Sequence, residues 1–137
     1  MRNLLTHRIL CFVLLLGLPG LPAVAAELPE ARADKGLVVF YRTKRATGAA
    51  IRMQITTSDR TAGTLSNGKM FYQYYDPGQR TFDVSTPSVA GSDLITLNLE
   101  AGQTYFVRGE ILLGWPAGRP RLTQESESRA SQDISKL

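Results

Sequence analysis

Residues 94–113 read LITLNLEAGQTYFVRGEILL, and the pattern of this stretch indicates the fold class. From Leu94 to Leu99 apolar and polar residues alternate, so every second side chain falls on the same face, as is typical of a half-buried strand. The turn residues Glu100 to Gln103 follow, and Thr104 to Leu113 forms the longest predicted strand. Two strands with a short turn and no helical pattern between them indicate an all-β domain.

Short β-rich runs separated by turn residues continue on both sides of this stretch. Further strands are predicted at Gly36 to Arg42, Ile51 to Thr57, Ala62 to Leu65, Met70 to Tyr75, Thr81 to Ser85 and Arg119 to Gln124. The first of them, GLVVFYR, is apolar on both faces and is expected to be a central strand. About eight strands joined by short links predict an antiparallel β-sandwich with the connections of a meander.

The alternation within these runs also predicts which side chains build the core. The inward-facing residues are Val39, Tyr41, Ile51, Met53, Ile55, Phe82, Val84, Ile95, Leu97, Leu99, Tyr105, Val107 and Ile111. In the first strand the assignment is open by one residue, because both faces of that strand are apolar.

The N-terminus has the pattern of a secretory signal. Arg2 and Arg8 flank the start of an apolar run, residues 9–21, and small residues at 23–25 supply a cleavage site. The apolar run is too short to cross the roughly 30 Å hydrocarbon core of a bilayer. We therefore expect residues 1–26 to be removed, leaving a periplasmic or secreted protein without a transmembrane segment.

The cysteine and histidine counts restrict the chemistry of the mature chain. The single cysteine, Cys11, and the single histidine, His7, both lie in the predicted signal. Cys11 is followed by more of the apolar run and has no small residue before it, so lipid attachment is not expected. The mature chain then has no disulfide, thiolate nucleophile, imidazole base or soft metal ligand. We predict a protein that is not an enzyme and needs no metal or cofactor.

The charge balance is modest once the signal is removed. Arg2 and Arg8 leave with the signal, so 14 of the 16 basic side chains remain against 12 acidic ones, a net charge of about +2. The carboxylates are spread over turns and strand ends, and no spacing forces two of them together. An enzyme or accessory subunit that uses carboxylates, or a small-ligand carrier, is kept as the alternative to a binding module.

The sandwich is expected to span residues 36–124, with a different segment at each end. Residues 27–35 are charged and predict a flexible leader. In residues 125–137, Ala130, Ile134 and Leu137 stand at i, i+4 and i+7, which predicts one apolar stripe on a short helix. Such a helix must dock on the sandwich to persist, and a frayed polar tail is the alternative.

A cluster of basic residues is the first candidate for binding. Arg42, Lys44, Arg45 and Arg52 lie in and around the predicted loop Thr43 to Ala50. They can meet a lipid head group, an anionic cell-wall polymer or an acidic envelope protein. The alternative is an ordinary solvated loop. Because no aromatic residues are interleaved with this cluster, nucleic-acid binding is not expected.

Aromatic residues are the second candidate. Tyr72 and Tyr74 share one face of a predicted strand and form either an exposed platform for sugar or peptide, or a surface covered by neighbouring segments. Trp115, between Gly114 and Pro116, is either a binding anchor in its loop or a cap on the end of the sandwich.

Several of these strands and turns together resemble one known family. The similar stretches are Val38 to Arg42, Ser66 to Tyr72, Asp76 to Gln79, Leu97 to Arg108 and Gly118 to Leu122. They are similar to small bacterial envelope domains catalogued as domain of unknown function 2846, which is related in shape to PEGA-type β-sandwich modules. The resemblance implies a sandwich of roughly immunoglobulin-like shape in the cell envelope, and no activity to carry over. Together with the missing catalytic groups it predicts a module that binds or scaffolds another envelope component.

Overall fold

The computed structural model describes residues 27–87, 91–114 and 118–137. Eight strands and one helix follow one another along the described chain. They are β1 (Gly36–Tyr41), β2 (Met53–Thr56), β3 (Thr61–Leu65), β4 (Met70–Tyr75), β5 (Gly78–Ser85), β6 (Ser92–Leu99), β7 (Thr104–Leu112), β8 (Arg119–Glu125) and α1 (Glu127–Ile134). The predicted signal lies outside the described residues.

The strands form two four-stranded sheets that pack face to face. The first sheet has the order β4-β1-β7-β8, and the second has the order β3-β2-β5-β6. This arrangement confirms the predicted all-β sandwich. It also confirms that the doubly apolar GLVVFYR stretch is a central strand, because β1 lies between β4 and β7.

The connections differ from the predicted meander. β1 pairs with β7 in parallel, with Val39 opposite Phe106, and with β4 in antiparallel orientation. Several consecutive strands, β6 and β7 among them, belong to different sheets. The prediction of hairpin neighbours was wrong here because packed sheets lie only about 10 Å apart. A short link can therefore carry the chain to the facing sheet as easily as to the next strand.

The main core lies between the two sheets. Its buried side chains are Val38, Phe40, Met53, Ile55, Ala62, Leu65, Tyr75, Phe82, Val84, Leu97, Leu99, Val107 and Leu122. The sheets approach closely at Gly109, where a Cβ atom would lie 2.7 Å from Leu65 Cδ2. Most of the predicted core is found here, although Ile51 precedes β2 and is only half-buried.

Val39 and Tyr41 are buried on the opposite face of β1, so the predicted register of this strand was off by one. A second core on the outer face of the first sheet covers them. It consists of Leu37, Val39, Tyr41, Phe106, Ala130 and Ile134. Because both faces of β1 are buried, its sequence contains no polar residue that distinguishes them.

Helix α1 closes this outer face, which confirms the docked-helix alternative for the tail. Ser126 caps its N-terminus by accepting a hydrogen bond from the Arg129 amide at 3.3 Å. Ala130 and Ile134 are buried against the sheet, and the Tyr41 hydroxyl donates to Asp133 at 3.2 Å. Tertiary contacts therefore hold a helix that is too short to persist alone. No helix of the described chain is long and apolar enough to cross a bilayer.

The segment before β1 also lies against the first sheet. Leu28 packs on the second core, and the Tyr74 hydroxyl donates to the Glu30 carbonyl at 2.7 Å. The Arg32 guanidinium lies 4.3 Å from the centre of the Tyr74 ring. Lys35, at the end of this segment, forms an ion pair with Asp76.

Candidate functional site

A surface cavity lies where the β1–β2 loop, strand β7 and helix α1 meet. Its volume is about 270 Å³. Its lining residues, here called the basic groove, are Thr43, Lys44, Arg45, Arg108, Arg129, Asp133 and Lys136. Five cationic side chains thus face a single carboxylate within the lining. The groove joins two of the predicted basic residues to three that are distant in sequence.

Arg42 holds the loop that carries one side of the groove. Its side chain is only 3% exposed, and its guanidinium donates to the carbonyls of Gly48 and Ile51 at 2.6 Å each. Burial lowers the pKa of Arg42. Two charge-assisted hydrogen bonds offset that burial by replacing contacts with water. Arg42, predicted as a binding residue, therefore faces loop carbonyls and does not line the groove.

Asn67 holds the same loop from the side. Its Oδ1 accepts from the Arg45 amide, and its Nδ2 donates to the Arg45 carbonyl, both at 3.0 Å. Next to it, the Arg42 amide donates to the Lys69 carbonyl at 3.0 Å. The backbone at Lys44 and Arg45 is therefore fixed before any ligand arrives, which reduces the entropic cost of binding.

Arg108 lines the groove from strand β7, and its charge is already neutralised by two carboxylates of the same sheet. Its Nη2 lies 2.9 Å from Glu125 Oε1 and 3.8 Å from Glu110 Oε1. Antiparallel pairing of β7 with β8 brings Glu125 to this face, because Phe106 lies opposite Glu125. The Arg108 Nε is buried and has no hydrogen-bond partner within the described chain. The two carboxylates that come together here are thus occupied by one guanidinium.

Helix α1 supplies the other wall of the groove. Arg129 Nε lies 3.3 Å from Asp133 Oδ2 one turn later, and the same oxygen accepts from the Tyr41 hydroxyl. Burial, followed by the negative charges of Asp133 and Glu125, raises the pKa of Tyr41 well above its ordinary value. Asp133 therefore links the helix to β1 and neutralises Arg129 at the same time.

Three cations of the groove remain unmatched. Within the described parts of the chain, the side chains of Lys44, Arg45 and Lys136 have no ion-pair partner. They come from two different elements, the β1–β2 loop and the end of α1, and line one cavity. A concave site with an excess of one charge attracts the opposite charge and strengthens its binding. The groove is therefore suited to an anionic group.

A second basic cluster, here called the arginine pair, lies on Tyr75. The guanidinium groups of Arg60 and Arg80 lie 5.4 Å and 4.7 Å from the ring centre. Arg80 Nη1 also lies 3.1 Å from Asp59 Oδ1. An open cavity of about 420 Å³ adjoins this cluster and is lined by Ser58, Asp59, Gln79, Arg80 and Thr81. Here the charge is engaged by a ring face and a carboxylate.

The remaining predicted binding residues lie elsewhere. Arg52 is exposed and does not line the basic groove. Tyr72 is 46% exposed and contacts the edge of Tyr74, with ring centres 6.1 Å apart. The Arg32 guanidinium lies over one face of Tyr74, which is half-buried, so Tyr72 is the more exposed ring of this pair. Trp115 lies outside the described residues.

The described residues hold no group of three or more His, Cys, Asp or Glu side chains that could bind a metal ion. The two cavities described above both open at the surface and are lined by residues outside the inter-sheet core.

Sequence reasoning missed Arg108, Arg129 and Lys136 as partners of Lys44 and Arg45. One signal was available: Arg129, Asp133 and Lys136 stand at i, i+4 and i+7, a polar stripe beside the apolar one. That spacing places them on one face of the helix. It does not say which loop they meet.

Comparison with known proteins identifies the family. Residues 32–119 match the family described as "Protein of unknown function (DUF2846)". The match covers more than half of the chain, so this chain belongs to that family. It includes Lys44, Arg45 and Arg108, whereas the α1 wall of the basic groove follows the matched residues. No curated protein matches the chain.

Proposed function

We propose that this protein is an exported, non-enzymatic module of the bacterial envelope that binds an anionic group of another envelope component in the basic groove. The groove is the observation that carries the proposal. Among the described residues, Lys44, Arg45 and Lys136 have no ion-pair partner and lie on a prearranged surface, which needs little reorganisation to bind an anion. The candidate partners are an anionic cell-wall polymer, a lipid head group and an acidic envelope protein.

Export to the periplasm or the cell exterior is the second part of the proposal. It rests on the N-terminal pattern of two arginines, an apolar run and small residues before position 26. A mature protein in that compartment meets phosphate-rich and carboxylate-rich surfaces. An excess of cations in one groove then directs binding, although the net charge of the whole chain is small.

The absence of catalysis is the third part. Removal of the signal leaves a chain without histidine or cysteine. The carboxylates nearest to the groove, Glu110, Glu125 and Asp133, all contact arginines. Carboxylates held in ion pairs are poorly placed to exchange protons with a substrate.

In-cell photo-crosslinking of the exported protein tests the proposal. A photo-crosslinking amino acid is placed at position 43, which lines the groove and is not one of its cations, and at position 52 or 60 as controls on exposed sites outside it. We expect adducts with one class of envelope component from position 43 only. Equal adducts from all three positions, or none at native expression, contradict the proposal.

Trp115→Ala in the same cells separates the groove from Trp115, the predicted binding anchor. If the groove is sufficient, adduct formation at position 43 persists in this variant. Loss of the adduct at position 43 would mean that the groove alone does not recognise the partner.

A further inference from the structure

We infer that the basic groove takes a terminal phosphate group, a phosphate monoester, in preference to a carboxylate. The inference rests on the proposed function and names the ligand class of the same site. It follows from three properties of the groove: the number of unmatched cations, the carboxylates that the groove already contains, and the size of the cavity.

The unmatched cations fit the charge and shape of a phosphate monoester. Such a group carries a charge of about −1.5 to −2 at pH 7 and three strongly accepting oxygens. The side chains of Lys44, Arg45 and Lys136 line the cavity together and have no ion-pair partner within the described chain. Three oxygens can meet three cations, while a carboxylate offers one charge and two oxygens and leaves a cation unmatched.

The groove's own carboxylates disfavour a carboxylate ligand. Glu125 and Glu110 already contact Arg108, and Asp133 contacts Arg129. A carboxylate from outside competes with groups of the same chemistry that are held in place by the fold. A dianion gains more from the remaining cations, because Coulomb attraction grows with the charge of the ligand.

The size of the cavity indicates one head group and not a whole ligand. At about 30 Å³ per water molecule, 270 Å³ corresponds to about nine waters. Sites that enclose a drug-sized molecule are roughly 300–1,000 Å³. The groove therefore accommodates the phosphorylated end of a larger molecule, either the head group of a lipid or a phosphorylated sugar unit in solution.

Binding is also expected to hold helix α1 more firmly. Lys44 and Arg45 lie on the β1–β2 loop, whereas Arg129 and Lys136 lie on or just after α1. A phosphate that contacts both sides bridges the helix to the sandwich. Because a ligand stabilises the conformation to which it binds, amide exchange in α1 should slow when the groove is occupied.

Titration of the mature exported protein with glycerol 3-phosphate, sulfate and acetate tests the inference. At pH 7.5 and low salt, we expect glycerol 3-phosphate to bind about tenfold more tightly than acetate, a difference of about 1.4 kcal/mol. Sulfate, a dianion at both pH values, serves as the control for charge. Glycerol 3-phosphate should also bind more weakly at pH 5, because the second pKa of a phosphate monoester is near 6. Exchange in α1 is followed in the same samples.

The sulfate titration controls for the protein's own ionisation. The charged and titratable groups that face the groove are Lys44, Arg45, Tyr41, Arg108, Glu110, Glu125, Arg129, Asp133 and Lys136. Sulfate keeps its charge between pH 5 and 7.5, so any change in its binding reports on these groups. The inference requires that glycerol 3-phosphate gains affinity over this range by more than sulfate does.

A pair of double variants locates the binding. Lys44→Gln with Lys136→Gln removes two unmatched groove cations and should weaken glycerol 3-phosphate binding by about tenfold or more. Arg52→Gln with Arg119→Gln removes two exposed cations outside the groove and should leave binding unchanged. All four side chains are exposed, so both variants are expected to fold.

The outcomes separate the inference from the proposed function. Equal binding of glycerol 3-phosphate and acetate, lost in the groove variant, overturns the phosphate preference and leaves an anion-binding groove. Absence of binding by any anion, together with negative crosslinking, overturns both.

Vesicles distinguish the two sources of phosphate. Phosphatidic acid presents a monoester, and phosphatidylglycerol presents a diester in the same bilayer. Stronger binding to phosphatidic acid than to soluble glycerol 3-phosphate supports a lipid source, and equal binding to both supports a soluble one. Binding that is equal for the two lipids contradicts the preference for a monoester.

Discussion

The basic groove and the arginine pair each concentrate cationic side chains, and they differ in what neutralises them. At the arginine pair, Arg60 and Arg80 lie over the Tyr75 ring, and Arg80 also contacts Asp59. In the groove, Lys44 and Lys136 have no such partner within the described chain. The positive charge of the arginine pair is neutralised by groups of the fold, whereas the positive charge of the basic groove is available to a ligand.

This difference shows why a count of basic residues does not identify a binding site. The β1–β2 loop alone contains basic side chains that bind groups of the fold and basic side chains that are available to a ligand. Arg42 binds two loop carbonyls and is buried, whereas Lys44 and Arg45 project into the groove. Two arginines three positions apart therefore differ: Arg42 stabilises the loop, whereas Arg45 has its charge available to a ligand. Local hydrogen bonding decides between them.

The largest effect is expected from Arg42→Met, because it removes the support of the groove's loop. Two hydrogen bonds from a buried guanidinium are lost, and the carbonyls of Gly48 and Ile51 lose their donor. We expect the free energy of unfolding to fall by about 3 kcal/mol, as measured by urea denaturation. The control Arg52→Met, on an exposed side chain, should change it by less than about 0.5 kcal/mol. Equal effects of the two variants would refute the role given to Arg42.

Ile134→Ala should undock the helical wall of the groove. Ile134 is buried against the outer face of the first sheet, and its truncation should cost about 2 kcal/mol in unfolding free energy. Anion affinity should fall as well, because Arg129 and Lys136 lose their position. Ser131→Ala on the exposed side of α1 is the matched control. Unchanged anion affinity with a demonstrably mobile α1 would show that the helix does not contribute to the groove.

Arg80→Gln removes a cation of the arginine pair and tests whether this site contributes to stability and not to anion binding. The cation over the Tyr75 ring is lost, and we expect a decrease of about 0.5–1 kcal/mol in unfolding free energy. Anion binding should be unaffected, since this charge is engaged within the fold. A drop in anion affinity without a drop in stability would mean that the arginine pair, and not the groove, is the binding site.

The smallest effect is expected on the stability of the protein at alkaline pH. Burial and the nearby carboxylates raise the pKa of Tyr41, so the folded protein keeps this proton where the unfolded chain releases it. Because the unfolded state then binds fewer protons, stability falls as pH rises above about 10, where an unperturbed tyrosine ionises. Tyr41→Phe should make the decline between pH 9 and 11 shallower in thermal denaturation. An unchanged slope would contradict the burial of the Tyr41 hydroxyl beside Asp133.

Much of the fold follows from periodicity in the sequence. GLVVFYR is apolar on both faces and is buried on both faces as β1. Two members of the predicted stripe, Ala130 and Ile134, are buried in the docked helix that is observed, whereas the third, Leu137, lies beyond α1 and is exposed. Such signals are readable because side-chain direction repeats regularly along a strand or a helix.

The pairing of strands and the composition of the site were not readable in this way. Nothing in the periodicity of β1 and β7 shows that they pair in parallel, since either sheet partner satisfies the same alternation. The groove joins Lys44 with Lys136, which are 92 positions apart in the sequence. Only the docking of α1 brings them together. Asn67, between β3 and β4, also holds the Arg45 backbone, and no periodicity in the sequence reveals that contact.

The charge available to a ligand lies in the basic groove and not at the arginine pair. NMR detection of side-chain and backbone N–H signals during titration with glycerol 3-phosphate tests this difference between the two sites. We predict saturable shifts at Lys44, Arg45, Arg129 and Lys136, with Arg60 and Arg80 unchanged. Shifts centred on Arg60 and Arg80, or spread evenly over all exposed cations, would contradict it.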